Sequence, residues 1–225
     1  MIKKIFNFVM NILFPSKCMF CGKTLPSDAK EDFLVCDKCV NQLPFRSKEE
    51  ERPDAYFPLD RNESVFIYES RVKDAIHRFK FNGKKFYAKT FARFMFILIS
   101  NRYIPSDIDC IFPVPLGPKR LLERGYNQAG ELAFYISKQS QIPVCDKCLL
   151  RVKESVSQTA LTSRERQKNI EGAFAANPDF DVRGKTVLLT DDVFTTGATL
   201  RECAKMLKEA GAKTVYSVTI AATQL

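Results

Sequence analysis

At 225 residues the chain is long enough for one full domain and a small accessory one. Its 45% hydrophobic and 27% charged content excludes a disordered or fibrous chain and fits a globular protein. The formal charge of +9 favours acidic partners, whether a phosphorylated ligand, nucleic acid or an anionic surface, and does not choose among them.

The first segment, Met1-Ile-Lys-Lys-Ile-Phe-Asn-Phe-Val-Met-Asn-Ile-Leu-Phe14, has a charged start and a short apolar run, but no small-x-small cleavage site follows it. The run is too short to span a bilayer, so no transmembrane segment is expected. Apolar residues at helical spacing predict an amphipathic helix packed on the rest of the protein, with membrane-surface attachment as the alternative. A cytoplasmic location is the corresponding expectation.

Cys18-Met-Phe-Cys21 and Cys36-Asp-Lys-Cys39 form a C-x2-C-x14-C-x2-C array. This is the spacing of a tetrahedral zinc site built from two knuckles, each aiming two thiolates at one ion. The segment between the pairs has one short apolar run, Phe33-Leu-Val35, so the metal is expected to be structural. Disulfides or a redox pair are the competing reading, and the lack of a secretion signal argues for a reducing compartment. Residues 44–62 turn polar, with Glu49-Glu-Glu51 and prolines at 44, 53 and 58, which sets the expected boundary between a 1–50 module and a 60–225 domain.

A strand is predicted over Ser64–Tyr68, a helix over Arg71–Phe79 and a break at Asn82-Gly83. Residues 71–93 carry eight basic residues against the single Asp74, with Phe79, Phe81, Phe86, Tyr87 and Phe91 interleaved. Such interleaving suits single-stranded nucleic acid, while the plainer reading is a pair of amphipathic helices with aromatic core faces and solvated lysines. His77, the only histidine, supports neither a triad nor a metal site.

A long apolar helix over Phe86–Ile99 precedes a strand near 109–114, ended by Pro113-Val-Pro115. The following loop offers Gly117, Lys119 and Arg120, and then a polar turn with Arg124 and Gly125 before a helix over Ala129–Lys138. A strand is expected near 142–144. Cys145-Asp-Lys-Cys148 repeats the tetrapeptide at 36–39, but one pair cannot complete a tetrahedral site, so it reads as chance or a surface pair, with a metal role as the alternative. Residues 151–172 form a polar, basic connection.

The most informative stretch is Thr186-Val-Leu-Leu-Thr-Asp-Asp-Val-Phe-Thr-Thr-Gly-Ala-Thr199. An apolar strand over 186–190 leads through Asp191 and Asp192 into a hydroxyl-and-glycine loop that opens a helix. Unpaired N–H groups at a helix start attract an anion, and Thr195, Thr196 and Thr199 add hydroxyl donors around Gly197 and Ala198. Two acids beside a phosphate would repel it if they faced it; they suit the vicinal hydroxyls of an attached sugar. A helix over 200–210, ended by Gly211, and a strand over 214–220 complete the chain.

On these residues the 188–199 segment resembles the phosphoribosyl pyrophosphate (PRPP) motif of type I phosphoribosyltransferases. The stretch Phe112-Pro-Val-Pro-Leu-Gly-Pro-Lys-Arg-Leu-Leu-Glu-Arg-Gly-Tyr-Asn-Gln128, with the four cysteines and Gln158–Phe174, resembles the signature of the ComF (ComFC or GntX-like) family over essentially the whole chain. Family members commonly carry a basic residue or His where Gly117 stands. The resemblance implies an α/β fold, a mainly parallel type I phosphoribosyltransferase-like sheet with flanking helices, preceded by a small four-cysteine zinc module. It implies Asp191 and Asp192 as catalytic acids holding ribose hydroxyls and assisting Mg2+, and Thr195, Thr196, Gly197, Ala198 and Thr199 on the 5-phosphate. Gly117, Lys119, Arg120 and Arg124 would meet the pyrophosphate, and Cys18, Cys21, Cys36 and Cys39 would hold Zn2+. A loop such as 151–172, with Gln158 and Arg164–Arg166, would close over substrate; a solvated surface loop is the alternative. The implied function is phosphoribosyl transfer from PRPP to an unidentified acceptor in competence and DNA uptake. A non-catalytic factor binding single-stranded DNA or other competence proteins is the other reading. The sequence does not set the oligomeric state.

Overall fold

In the computed structural model, residues 15–26, 33–47, 57–103, 105–153 and 170–224 are described. The expected N-terminal helix, residues 48–56 of the 44–62 boundary, and Gln158 and Arg164–Arg166 lie outside them.

Four parallel strands form the central sheet: β1 (Arg61–Ile67), β2 (Cys110–Pro113), β5 (Thr186–Phe194) and β6 (Thr214–Ala222), in the order β1-β6-β5-β2. Both faces are covered, and the pleat sorts the side chains. Leu188 of β5, Ile111 of β2 and Val218 of β6 face one core; Val187, Leu189, Phe112 and Val215 face the other. Against the first core pack α2 (Ser70–Phe81), α3 (Tyr87–Arg102) and α5 (Gln128–Ser140). Against the second pack α6 (Ala198–Glu209) and the antiparallel pair β3 (Leu149–Arg151) and β4 (Phe174–Ala176).

The cysteine segment, with the short helix α1 (Asp37–Val40), is docked on the α2–α3 face. Met19, Phe20, Leu34 and Leu43 belong to the same buried cluster as Phe66, Phe79 and Phe91. The Phe20 ring meets those of Phe66 at 6.1 Å and Phe91 at 6.3 Å, both edge-on. Polar contacts fix the pose: Arg78 Nη2 donates to the Met19 carbonyl at 2.7 Å, and the Leu34 N–H donates to Thr90 Oγ1 at 3.1 Å. Each fully buried Phe contributes about 1.5–3 kcal/mol, so docking adds to whatever the metal supplies.

Several sequence expectations are corrected. β1 begins at Arg61, inside the stretch read as polar boundary, because its polar residues are buried with partners: Ser217 Oγ donates to Asn62 Oδ1 at 2.8 Å and Arg61 Nε meets Glu63 Oε1 at 2.9 Å. The expected strand at 142–144 reduces to one bridge, Val144 to Ile111, next to Pro143, which has no N–H to extend a ladder. Residues 118–124, read as loop and turn, form a helix α4 (Pro118–Arg124) with Pro at its start and Gly125 in the left-handed conformation at its end. The β3–β4 pair was not expected; its strands are only three residues each and carry no alternation that periodicity could register. Cys145 and Cys148 are disulfide-bonded, with Cα atoms 5.5 Å apart, and Cys148 is buried in the second core rather than on the surface. This pairing takes the place of the metal role weighed for them.

Among the described residues, no helix is long and apolar enough to cross a membrane.

Candidate functional site

β5 runs further than its apolar segment. Asp191 and Asp192 lie within the strand because pairing with β6 continues to Phe194 opposite Ala222, so the backbone stays extended through the acids. The chain then turns at Thr195–Gly197 into α6. Gly197 is required there: it has φ +72°, and a Cβ would lie 2.3 Å from Phe194 Cζ. The Thr196 hydroxyl accepts the Ala198 N–H at 3.4 Å, and Thr223 Oγ1 donates to the Thr195 carbonyl at 3.2 Å, pinning the loop to the end of β6. Asp191 and residues Thr195–Thr199 line one small hollow with Phe194 and Ile170.

β2 lies beside β5, in register from Cys110 opposite Val187 to Pro113 opposite Thr190. The two carboxyl ends therefore open side by side, the usual ligand position in an open α/β sheet. Beyond β2, Asn127 Nδ2 donates to the Val114 carbonyl at 3.1 Å while its Oδ1 caps α5 through the Ala129 N–H. Gly117 precedes α4, and its φ of −68° is open to any residue. On α4, Arg124 Nη1 donates to Gln128 Oε1 at 2.8 Å and lies 4.0 Å from Asp192 Oδ2. Burial lowers the Arg120 pKa, as does the neighbouring Arg124 charge, while Asp192 pulls it back. Lys119 is exposed on the same helix.

The acids are held differently. Asp192 is buried and meets Lys80 Nζ at 2.7 Å. Asp191 Oδ1 accepts the Asp192 N–H at 2.8 Å, and burial, followed by the Asp192 charge, pushes its carboxyl up to about 7. Adjacent carboxylates at the ligand end of a strand offer the oxygen donors that a hard divalent cation takes, so the residues present fit magnesium. Of the residues expected at the site, the structure gathers Asp191, Asp192, Arg120, Arg124 and Thr195–Thr199. Lys80 was missed; it lies in the basic segment, where its lysine neighbours masked it.

The second constellation is the cysteine cluster. Thiol sulfurs of Cys18, Cys21, Cys36 and Cys39 all lie within 4.8 Å of one another, with Cys18 and Cys39 buried. A hydrogen bond from the Lys23 backbone brings Cys21 down to about 7, whereas burial raises Cys39 to about 12. The four thiols match a closed tetrahedral site.

Comparison with known proteins bears on both features. Residues 121–224 match the phosphoribosyl transferase domain and residues 9–50 the double zinc ribbon domain. DNA utilization protein YhgH of Salmonella typhimurium is 30% identical over 203 residues, covering 89% of this chain and 81% of that protein. The chain belongs to the ComF family. Competence protein F of Haemophilus influenzae is 29% identical over 204 residues, 88% of this chain and 81% of its own length. Among solved structures, glutamine PRPP amidotransferase from B. subtilis, complexed with ADP and GMP, is 24% identical with a TM-score of 0.34, covering 49% of this chain and 22% of that one. This ComF protein thus joins a phosphoribosyltransferase-type domain to a zinc ribbon, and the ribbon with its four-cysteine cluster supports structural zinc.

Proposed function

We propose that this ComF protein binds PRPP and transfers its phosphoribosyl group to an acceptor in DNA uptake. The observation that carries the reading is the pairing of a Thr-Thr-Gly-x-Thr loop and two acids at the end of β5 with the cationic α4 beyond β2. Thr195, Thr196, Gly197, Ala198 and Thr199 hold the 5-phosphate at the start of α6. Asp191 and Asp192 accept the ribose hydroxyls. Lys119, Arg120 and Arg124, beyond Gly117, balance charge on pyrophosphate as it leaves with the electron pair of the C1–O bond. The acceptor forms the new bond to C1 and gives up a proton. Asp191, with Asp192 beside it, would hold magnesium directly or through water, and the ion would supply charge neutralisation at the phosphates when bound. With no acid–base pair evident among the described residues, the rate comes from positioning and electrostatic stabilisation of an oxocarbenium-like state. The test is calorimetric PRPP binding followed by a pyrophosphate-release screen against nucleobases, nucleotides, amines and DNA ends. Binding with acceptor-dependent release is expected; absence of PRPP binding rejects the proposal.

A second reading, single-stranded DNA binding, draws on two half-exposed aromatic rings. Phe81 and Phe86, 54% and 51% exposed, have Arg124 at 5.2 Å and Lys84 at 5.6 Å over their faces. Phe86 and Lys84 also line a cleft of about 740 Å³ beside the zinc ribbon, with Lys17 and Arg78. Bases stack on such rings while cations track the backbone. Salt-sensitive binding of a single strand, weakened by Lys84→Ala with Lys85→Ala and unaffected by Asp191→Asn, is the expected result. No binding at low salt excludes it.

A further inference from the structure

Lys80 occupies the last turn of α2, outside the matched phosphoribosyl transferase segment. Its ammonium lies 2.7 Å from Asp192 Oδ1, and the side chains are only 18% and 11% exposed. Both flanking residues are tied to the polypeptide of the cationic helix α4 and the turn that follows it. The Tyr126 hydroxyl donates to the Phe79 carbonyl, Phe79 is fully buried, and Arg124 sits 5.2 Å over Phe81. Lys80 is therefore held at one place against the acid pair rather than reaching it as a loose surface chain.

Two adjacent carboxylates cannot both stay ionised in a poorly solvated strand end unless positive charge stands next to them. Asp192 has that charge on both oxygens, Lys80 at Oδ1 and Arg124, 4.0 Å away, at Oδ2. Asp191 Oδ1 accepts the Asp192 backbone N–H, a donor without net charge. Labour is thus divided within the pair: Asp192 is compensated and oriented by the protein, and Asp191 is left for ligand or ion. Arg124 is steadied in turn by Gln128.

We propose that Lys80 is a positioning residue of the PRPP site, supplying through Asp192 positive charge that a divalent ion would otherwise have to bring before the sugar binds. This rests on the PRPP reading above. In this protein the ribose acids are then arranged before magnesium arrives, and affinity for PRPP depends only shallowly on the ion.

The experiment measures PRPP affinity by calorimetry, from chelated buffer to millimolar magnesium. The proteins are the wild type, Lys80→Met, Lys80→Gln and Lys80→Arg, each checked for an unchanged thermal transition. Wild type is expected to bind throughout. Lys80→Met is expected to weaken binding at least about tenfold in chelated buffer and to recover most of it in magnesium, with Lys80→Arg close to wild type. Lys80→Gln, which stays polar, serves if Lys80→Met fails to fold and is expected to show the same magnesium dependence. Folded Met and Gln variants that match wild type, or that are weakened equally at every magnesium concentration, overturn the role of Lys80 while PRPP binding stands. A wild type that binds no PRPP under any condition overturns the PRPP reading and this inference with it.

Discussion

Replacing Asp191 and Asp192 together by Asn is expected to abolish the proposed PRPP binding, and Asp191→Asn alone to stabilise the fold above neutral pH. The two effects share one cause. Burial and the Asp192 charge push the Asp191 carboxyl up to about 7. Because the folded value exceeds the ordinary one of about 4, the folded state holds the proton more tightly than the unfolded chain. The associated stability is complete below pH ~4 and is lost as pH rises through about 7. Above that, an ionised Asp191 costs on the order of 2–4 kcal/mol, which Asn removes. Melting curves of Asp191→Asn and wild type therefore coincide near pH 4, separate as pH rises and stay apart above neutrality. Binding runs the other way, since ribose hydroxyls need the ionised acid. Wild-type affinity for PRPP is expected to fall by about tenfold per unit as pH drops below 7, where a proton must leave before ligand enters. A folded double variant with unchanged calorimetric affinity refutes the assignment; melting curves that coincide at pH 8 refute the electrostatic account alone.

Removal of zinc is expected to unfold more than the ribbon. Cys18 and Cys39 are buried, and Met19, Phe20 and Leu34 between them belong to the core that holds Phe66, Phe79 and Phe91. Losing the ion frees four thiols crowded within 4.8 Å and loosens the segment that covers this core. Metal binding free energy in such modules is folding free energy, so a strong chelator should release one zinc per chain and lower the melting temperature by more than about 10 °C. Cys39→Ser should do the same without chelator. Hydrogen exchange should rise in α2 and α3 as well as in the ribbon. An unchanged melting temperature after complete zinc release counts against a structural metal.

Some of this was legible because it is local. The four cysteines sit in two tetrapeptides, and a knuckle turn brings each pair together whatever surrounds it. The run from Thr186 to Thr199 likewise holds strand, acids, hydroxyls and glycine in one continuous stretch, so strand-to-helix geometry alone assembles the small hollow they line. The limits of β5 were less visible. Apolar pattern stops at Thr190, but the partner strand β6 continues and keeps Asp191 and Asp192 extended.

What only the tertiary structure decided depends on contacts between distant segments. Lys80 is one basic residue among eight until the packing of α2 brings it to Asp192. Arg61 and Asn62 read as part of the polar boundary until pairing with β6 and the buried Asn62–Ser217 contact make them strand. Cys145 and Cys148 read as chance or a surface pair until packing buries Cys148 in the second core. The amino-acid sequence by itself determined the zinc ligands and the acid-and-hydroxyl loop, since neighbours along the chain supply their geometry. Folding decided which cation serves which acid, because in a low-dielectric site a charge acts on whatever packing places within a few ångströms.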